Sequence, residues 1–205
     1  MSDPFFPPVP PRPDEDDGPP TRFRRPSWAR PVGTIPGVVP LELVLAHAGG
    51  TTLAIPALHV YPAGLAFELW ALRDDAVAGP ADPREPFPDG RPELGVELPD
   101  GRRLREADGL DEEQPRAPDR AVLCSGGGSS SDGSMRISYW LWPFPRAGRW
   151  SIVVRWPRVG IGETRTTLDA APLVDAAERA QVLFTDEHLP ERGEDAGWLG
   201  YEPLG

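Results

Sequence analysis

The sequence predicts a mainly β protein, an antiparallel β-sandwich of immunoglobulin-like or related topology with one C-terminal helix and disordered termini. Three observations predict it. Apolar residues alternate with polar ones at period two in several short runs, turn signals separate those runs at hairpin spacing, and the chain holds 22 Gly and 28 Pro in 205 residues. That length fits one domain, and a sandwich of this size buries a genuine core.

The elements follow in order. Residues 1–30 combine Pro7, Pro8, Pro10, Pro11 and Pro13 with the acidic run Asp14 to Asp17 and the basic cluster Arg22, Arg24, Arg25 and Arg30. So little apolar surface does not offset the entropy of ordering, and the segment reads as a disordered Pro-rich tail. Residues 31–184 read as the sandwich domain. From Gly37, Val39, Leu41, Leu43 and Leu45 share one face, and a Gly49-Gly50 turn leads into the run Thr51 to Tyr61, completing a hairpin. Pro56 deletes a ladder donor from the second run, which places that strand at an edge or gives it a bulge. Leu65 to Leu72 forms a third strand with Leu65, Phe67 and Leu69 on one side.

Acidic loops occupy residues 74–92 and 106–119 and flank two short strands joined by Pro99-Asp100-Gly101. Ala121 to Cys124 is a short apolar run, and the Gly/Ser-rich stretch Ser125 to Ser134 reads as a mobile hairpin connection. Met135 to Phe144 and Trp150 to Trp156 are the strongest strand signals. They read as a hairpin at the centre of the core, with Trp140, Trp142 and Phe144 on one face and Trp150, Ile152, Val154 and Trp156 on the other strand's inner face. Thr164 to Leu168 is a last strand. Asp169 then serves as N-cap for a helix over 170–184, with Pro172 in its first turn and Leu173, Ala177, Ala180 and Phe184 along one face. Residues 185–205 form an acidic C-terminal tail.

Every one of the 21 basic residues is Arg, a bias of GC-rich, actinobacterial genomes that makes Pro/Arg motifs such as Pro7-Pro8-Val9-Pro10-Pro11-Arg12 cheap. The net charge of -11 opposes nonspecific binding to nucleic-acid phosphates. No apolar run approaches the roughly 20 residues that span a bilayer, so no membrane is expected. The start shows no secretory pattern, and the single Cys fits a reducing compartment, so the expected location is cytoplasmic.

The turn Tyr61-Pro62-Ala63-Gly64 and the segment Trp142-Pro143-Phe144-Pro145-Arg146-Ala147-Gly148, with Gly160-Ile161-Gly162 leading into Leu168-Asp169-Ala170-Ala171, resemble a family of small uncharacterised actinobacterial proteins. Tyr-Pro-x-Gly and Trp-Pro-x-Pro-x-x-Gly turns recur in that family. The resemblance spans roughly residues 32 to 184 and implies one intact domain without implying an activity.

Candidate chemistry is sparse. Cys124 beside Ser125-Gly126-Gly127-Gly128, with His47 or His59 as base, is a weak nucleophile pairing, since a lone Cys ending an apolar run behaves as a small hydrophobe. Residues 125–134 lack the Lys and the Gly-Lys-Ser/Thr ending of a phosphate loop. No third ligand joins His47 and His59, and no cofactor is expected. Trp70, Trp140, Trp142, Trp150 and Trp156 fit a core better than a sugar-stacking platform. The most distinctive feature is the acidic tail's Trp198, Leu199, Tyr201 and Leu204, which reads equally as a docking segment for a protein partner and as a tail that packs back on its own domain. The expectation is a noncatalytic interaction or accessory protein, with a small-ligand, carbohydrate-like binding sandwich and an undetected hydrolase as the alternatives.

Overall fold

A computed structural model describes residues 24–78, 87, 90–106, 120–131 and 133–189. Within them lie β1 (Thr34–Ile35), β2 (Gly37–Ala48), β3 (Thr51–Val60), β4 (Leu65–Arg73), α1 (Asp75–Ala78), β5 (Glu93–Glu97), β6 (Arg103–Arg105), β7 (Val122–Ser131), β8 (Ser134–Trp142), β9 (Arg149–Trp156), β10 (Ile161–Asp169), α2 (Ala171–Arg179) and β11 (Gln181–Val182). A five-stranded sheet in the order β2-β3-β4-β8-β7 faces a four-stranded sheet in the order β10-β9-β5-β6, and every pairing is antiparallel. A third, two-stranded ribbon joins β1 to β11.

The core lies between the two larger sheets. Leu53, Ile55, Leu58 and Val60 of β3, Leu65, Phe67 and Leu69 of β4, and Ile137, Tyr139 and Leu141 of β8 meet Leu94 and Val96 of β5 and Trp150, Ile152, Val154 and Trp156 of β9. The side of β9 that alternation assigned to the core is the buried one.

Pro56 is accommodated by a bulge and not by an edge. β3 is an interior strand, and its register slips beside Pro56 on both sides, between Pro40 and Leu43 of β2 and between Ala54 and Leu58 against β4. The extra residue places the missing N–H where the ladder is already interrupted. It also flips the parity of the strand, so that odd-numbered Leu53 and Ile55 and even-numbered Leu58 and Val60 all face the core.

Four expectations are corrected. β8 and β9 are not a hairpin: the chain crosses from the larger sheet to the smaller one through residues 143–148. The core face of β8 is Ile137, Tyr139 and Leu141, the parity that with Met135 is apolar along the whole strand, whereas Trp140 and Trp142 share their parity with Ser134, Arg136 and Ser138. Trp140 and Trp142 lie on the outer face of the larger sheet, while Phe144 joins the core beyond the strand's end. The Gly/Ser run is also no loose connection. Val122–Ser131 pairs along β8 with a bulge between Ser125 and Gly128, its small side chains leaving the backbone ladder to hold it. Finally, the helix ends at Arg179. Its N-cap position is Ala170 and not Asp169, which closes β10 and whose Oδ1 accepts the Ala171 N–H at 2.9 Å; at the other end Ala180 is extended, and the next residues leave the helix to pair with β1. Phe184 is consequently exposed.

The outer Trp face of β8 is covered by chain read as tail. Trp28 is 3% exposed and packs with Val122, Cys124 and Trp142, and its carbonyl accepts the Trp140 indole N–H at 2.9 Å. The two recurring turns meet at the same place. Tyr61 contacts Trp140 edge-to-face at 5.5 Å, Arg146 donates to the Pro62 carbonyl at 2.9 Å, and the Trp140 ring lies so close to Gly64 that a Cβ there would be 2.3 Å from it. Those motifs are therefore explained by packing. Similarly, Gly37 lets α2 approach β2 backbone to backbone, since a Cβ would sit 1.8 Å from the Ala176 carbonyl oxygen.

Trp28→Ala is expected to lower the unfolding free energy by about 3 kcal/mol, whereas Val44→Ala on the exposed outer face shifts it by less than about 0.5 kcal/mol. Urea midpoints at unchanged m-value check both, and equal effects would show that residues 24–30 do not belong to the folded unit.

Candidate binding surfaces

The outer face of the smaller sheet carries a groove of about 470 Å³ built from cross-strand charge pairs. Strand parity dictates them. Glu93 lies opposite Arg155, Glu97 lies opposite Arg103, and Gly95 lies between Val153 on one neighbour and Arg105 on the other. Val153 in turn faces Arg165 across β10. Gly95 has no side chain, so it and Val153 form a low floor between the guanidinium-bearing positions.

The pairs close tightly. Arg155 reaches Glu93 at 2.7 Å, and Glu97 takes Arg165 at 2.7 Å and Arg103 at 2.9 Å. Hydrogen bonding by Arg155 holds the Glu93 carboxyl below the usual glutamate range, and the hydrogen bonds of Arg165 and then Arg103 do the same for Glu97. The same bonds raise Arg155 and Arg165. At the rim, Glu106 accepts from Arg91 and from Ser125. Burial pushes that carboxyl upward, but the bonds from Arg91 and Ser125 and the Arg91 charge outweigh it, so it too is lowered. Behind it the Tyr139 hydroxyl, stacked on Phe67 at 5.4 Å, is pushed far upward by burial and then by the Glu106 charge, which leaves it neutral.

A second surface lies where the two ends of the described chain meet. In the ribbon, Thr34 opposes Val182 and Ile35 opposes Gln181, while the Leu183 and Phe184 amides both donate to the Gly33 carbonyl. Val32, Ile35, Val182, Leu183 and Phe184 are each at least 50% exposed. Of these, Ile35 and Val182 lie on the two strands at positions of opposite parity, hence on opposite faces of the ribbon, and Val32, Leu183 and Phe184 lie just beyond the strand ends. Beside the ribbon the Arg25 amide donates to Asp186 at 2.7 Å, and the Arg25 guanidinium reaches the Arg30 carbonyl.

The residues singled out from sequence are not brought together. Cys124 is buried against Trp28 and Val122, and the cross-strand row from it runs through Trp140 and Ala66 to His59. Three strand spacings, roughly 14 Å, separate that thiol from the imidazole. His47 lies opposite Thr52, roughly 23 Å along β3 from His59. His47 Nδ1 contacts Thr52 Oγ1 at 2.8 Å, with no carboxylate orienting the ring. Among the described residues no three His, Cys, Asp or Glu gather as metal ligands, and no helix is long and apolar enough to cross a membrane. Trp140, Trp150 and Trp156 are buried, and Trp70 carries the Arg136 guanidinium over its ring at 4.4 Å. Trp198, Leu199, Tyr201 and Leu204, like the Pro-rich segment 7–12, lie outside the described residues.

Sequence reasoning missed both surfaces. For the groove a signal existed: Glu93, Gly95 and Glu97 share parity before the Pro99-Asp100-Gly101 turn, and Arg103 and Arg105 share parity after it. Comparison with family models, curated proteins and solved structures finds no match.

Because pairing lowers the Glu97 carboxyl, its contribution to stability is present above the unfolded value of about 4.3 and is lost as pH falls through the folded value. In Arg165→Gln that carboxyl is expected to titrate at higher pH than in the wild type, by carboxyl carbon NMR. The stability difference between the two proteins is expected to shrink between pH 7 and pH 3.

Proposed function

We propose that this chain is a noncatalytic interaction protein that holds a protein partner through the apolar ribbon of β1 and β11 and the Trp198–Leu204 segment that follows it. One observation carries the reading: Val32, Ile35, Val182, Leu183 and Phe184 are all exposed on or beside a two-stranded ribbon, distributed over both of its faces, that contributes little to the core. A protein that kept this much apolar surface without use would carry an aggregation liability. Short paired strands with exposed edges also offer backbone groups to an incoming segment.

The remaining chemistry supports the same reading. The described side chains hold no nucleophile, base and orienting group in mutual reach, which is the arrangement hydrolysis requires. The buried indoles offer no ring face to a sugar. What favours a small ligand instead is the groove over Gly95 and Val153, whose alternating Arg and Glu suit a molecule carrying both anionic and hydrogen-bond-donor groups. Glu93, Glu97 and Glu106 are already paired with Arg155, Arg165, Arg103 and Arg91, so a ligand must exchange those ion pairs for its own, which sets the ribbon ahead of it.

The test uses the full chain as bait, beside Leu183→Ser/Phe184→Ser and beside the groove variant Glu97→Gln, with quantitative mass spectrometry of what is retained. The proposal expects a protein whose recovery falls at least about tenfold with the ribbon variant and is unchanged with Glu97→Gln, matching a loss of about 1.4 kcal/mol or more of binding. Equal recovery by all three baits, or none by any, overturns it.

A further inference from the structure

We propose that the groove on the smaller sheet binds a short zwitterionic ligand of tripeptide length, with Arg105 taking its carboxylate and Glu163 its ammonium group across a floor of Gly95 and Val153. This site shares no residue with the ribbon.

Two charges of the groove stand outside its ion pairs. Of the five arginines that line it, Arg91, Arg103, Arg155 and Arg165 each hold a glutamate, and three of the four glutamates are held in return. Arg105 and Glu163 are the remainder, and among the described residues neither closes an ion pair or a side-chain hydrogen bond. Arg105 acts on Glu93, and Glu163 on Arg155 and Arg165, through charge at a distance only. A ligand that meets these two groups breaks no existing pair, so the exchange that opposes a ligand of the paired charges does not arise.

The sheet sets the two groups on opposite sides of the floor. Arg105 pairs with Gly95, Gly95 with Val153 and Val153 with Arg165, a row that crosses all four strands from β6 to β10. Glu163, two residues before Arg165 and beside the β10 bulge, lines the same groove. Three strand spacings across and two residues along separate the Cα atoms of Arg105 and Glu163 by roughly 16 Å. With the guanidinium and the carboxylate leaning toward each other, the gap to fill is roughly 10 Å, the length of three extended residues. A free amino acid, whose charges flank a single carbon, does not touch both.

The floor between them is low and uncharged. Gly95 is bare, and a Cβ there would come within 2.9 Å of the Leu104 carbonyl oxygen. Val153 beside it is half-buried and offers an apolar contact to small side chains. The volume of about 470 Å³ suits a ligand of this size. Charge selects the class as well as the orientation. A chain of net charge -11 repels a pure anion but not a molecule of zero net charge. A ligand laid the other way would set carboxylate against Glu163 and ammonium against Arg105.

Amide NMR titration of the full-length protein with trialanine tests the site, read at Gly95 and Val153. The expected result is saturable shifts at both amides with a Kd of about 1 mM, the range that two exposed ion pairs and a small apolar contact support. N-acetylation and C-amidation of the peptide are each expected to weaken binding about fivefold. Crossing peptides with variants reads which end lies where: Arg105→Gln binds the free and amidated peptides equally, and Glu163→Gln the free and acetylated ones. Arg102→Gln, whose partner Asp100 lies outside the groove, leaves binding unchanged. Unchanged urea midpoints confirm that the variants are folded. No saturation below about 20 mM overturns the proposal, as do capped peptides that bind like the free one or alanine that binds as tightly as trialanine. Discrimination between free and amidated peptide that survives in Arg105→Gln overturns the assignment of that arginine, whatever becomes of the ribbon's partner.

Discussion

The inner face of the larger sheet depends on one inserted residue. Without the bulge at Pro56, Leu53 and Ile55 would point into the core while Leu58 and Val60 pointed out of it, and the strand between β2 and β4 would bury only half its apolar side chains. With it, four fully buried side chains of β3 line up behind Phe67 and Leu69 of β4, and the smaller sheet has a continuous surface on which to lay Trp150, Ile152, Val154 and Trp156. The proline that weakens the ladder thus coincides with the irregularity that keeps the sandwich packed. The β2 bulges answer it across the pair: Glu42, the described non-glycine residue with a positive φ, lies within the first of them.

How far the fold was legible in the chain follows from the same physics. β9 was readable because only one of its parities is apolar. β8 was misread from its C-terminal half, where Trp140 and Trp142 alternate with Tyr139 and Leu141, although Ser134, Arg136 and Ser138 mark the outer parity; what covers the two Trp is Trp28, 112 residues from Trp140 in sequence. Local pattern carries no trace of such a cover. The Gly/Ser stretch of β7 lacks strand propensity altogether, and its pairing comes from the strong neighbour it follows. The helix was found but overrun, because Val182 to Phe184 suit either state until β1 offers a partner.

Both candidate surfaces were harder to read for a related reason. The groove needs the order β10-β9-β5-β6 before Arg165 and Glu97 are neighbours, although each half of the β5–β6 hairpin displays its charges at period two. The ribbon joins Thr34 to Val182, and Val32 or Leu183 alone is an unremarkable surface residue. Only the pairing of the two segments brings them near one another. Part of the chain's acidic surplus is likewise placed by the fold, with Glu93, Glu97 and Glu106 in the groove each paired to arginine.

The hydrogen bond between Arg25 and Asp186 brings the two ends of the described domain within 2.7 Å, so in space its chain is a closed ring. A ring has no privileged starting point. A version in which those ends are spliced by a short linker and the chain is reopened at the Gly49-Gly50 turn keeps every strand neighbour in both larger sheets, because the β2–β3 ladder loses only its connecting loop. The ribbon, by contrast, then becomes an internal loop, and the order in which the domain is synthesised can be separated from the surface its ends create.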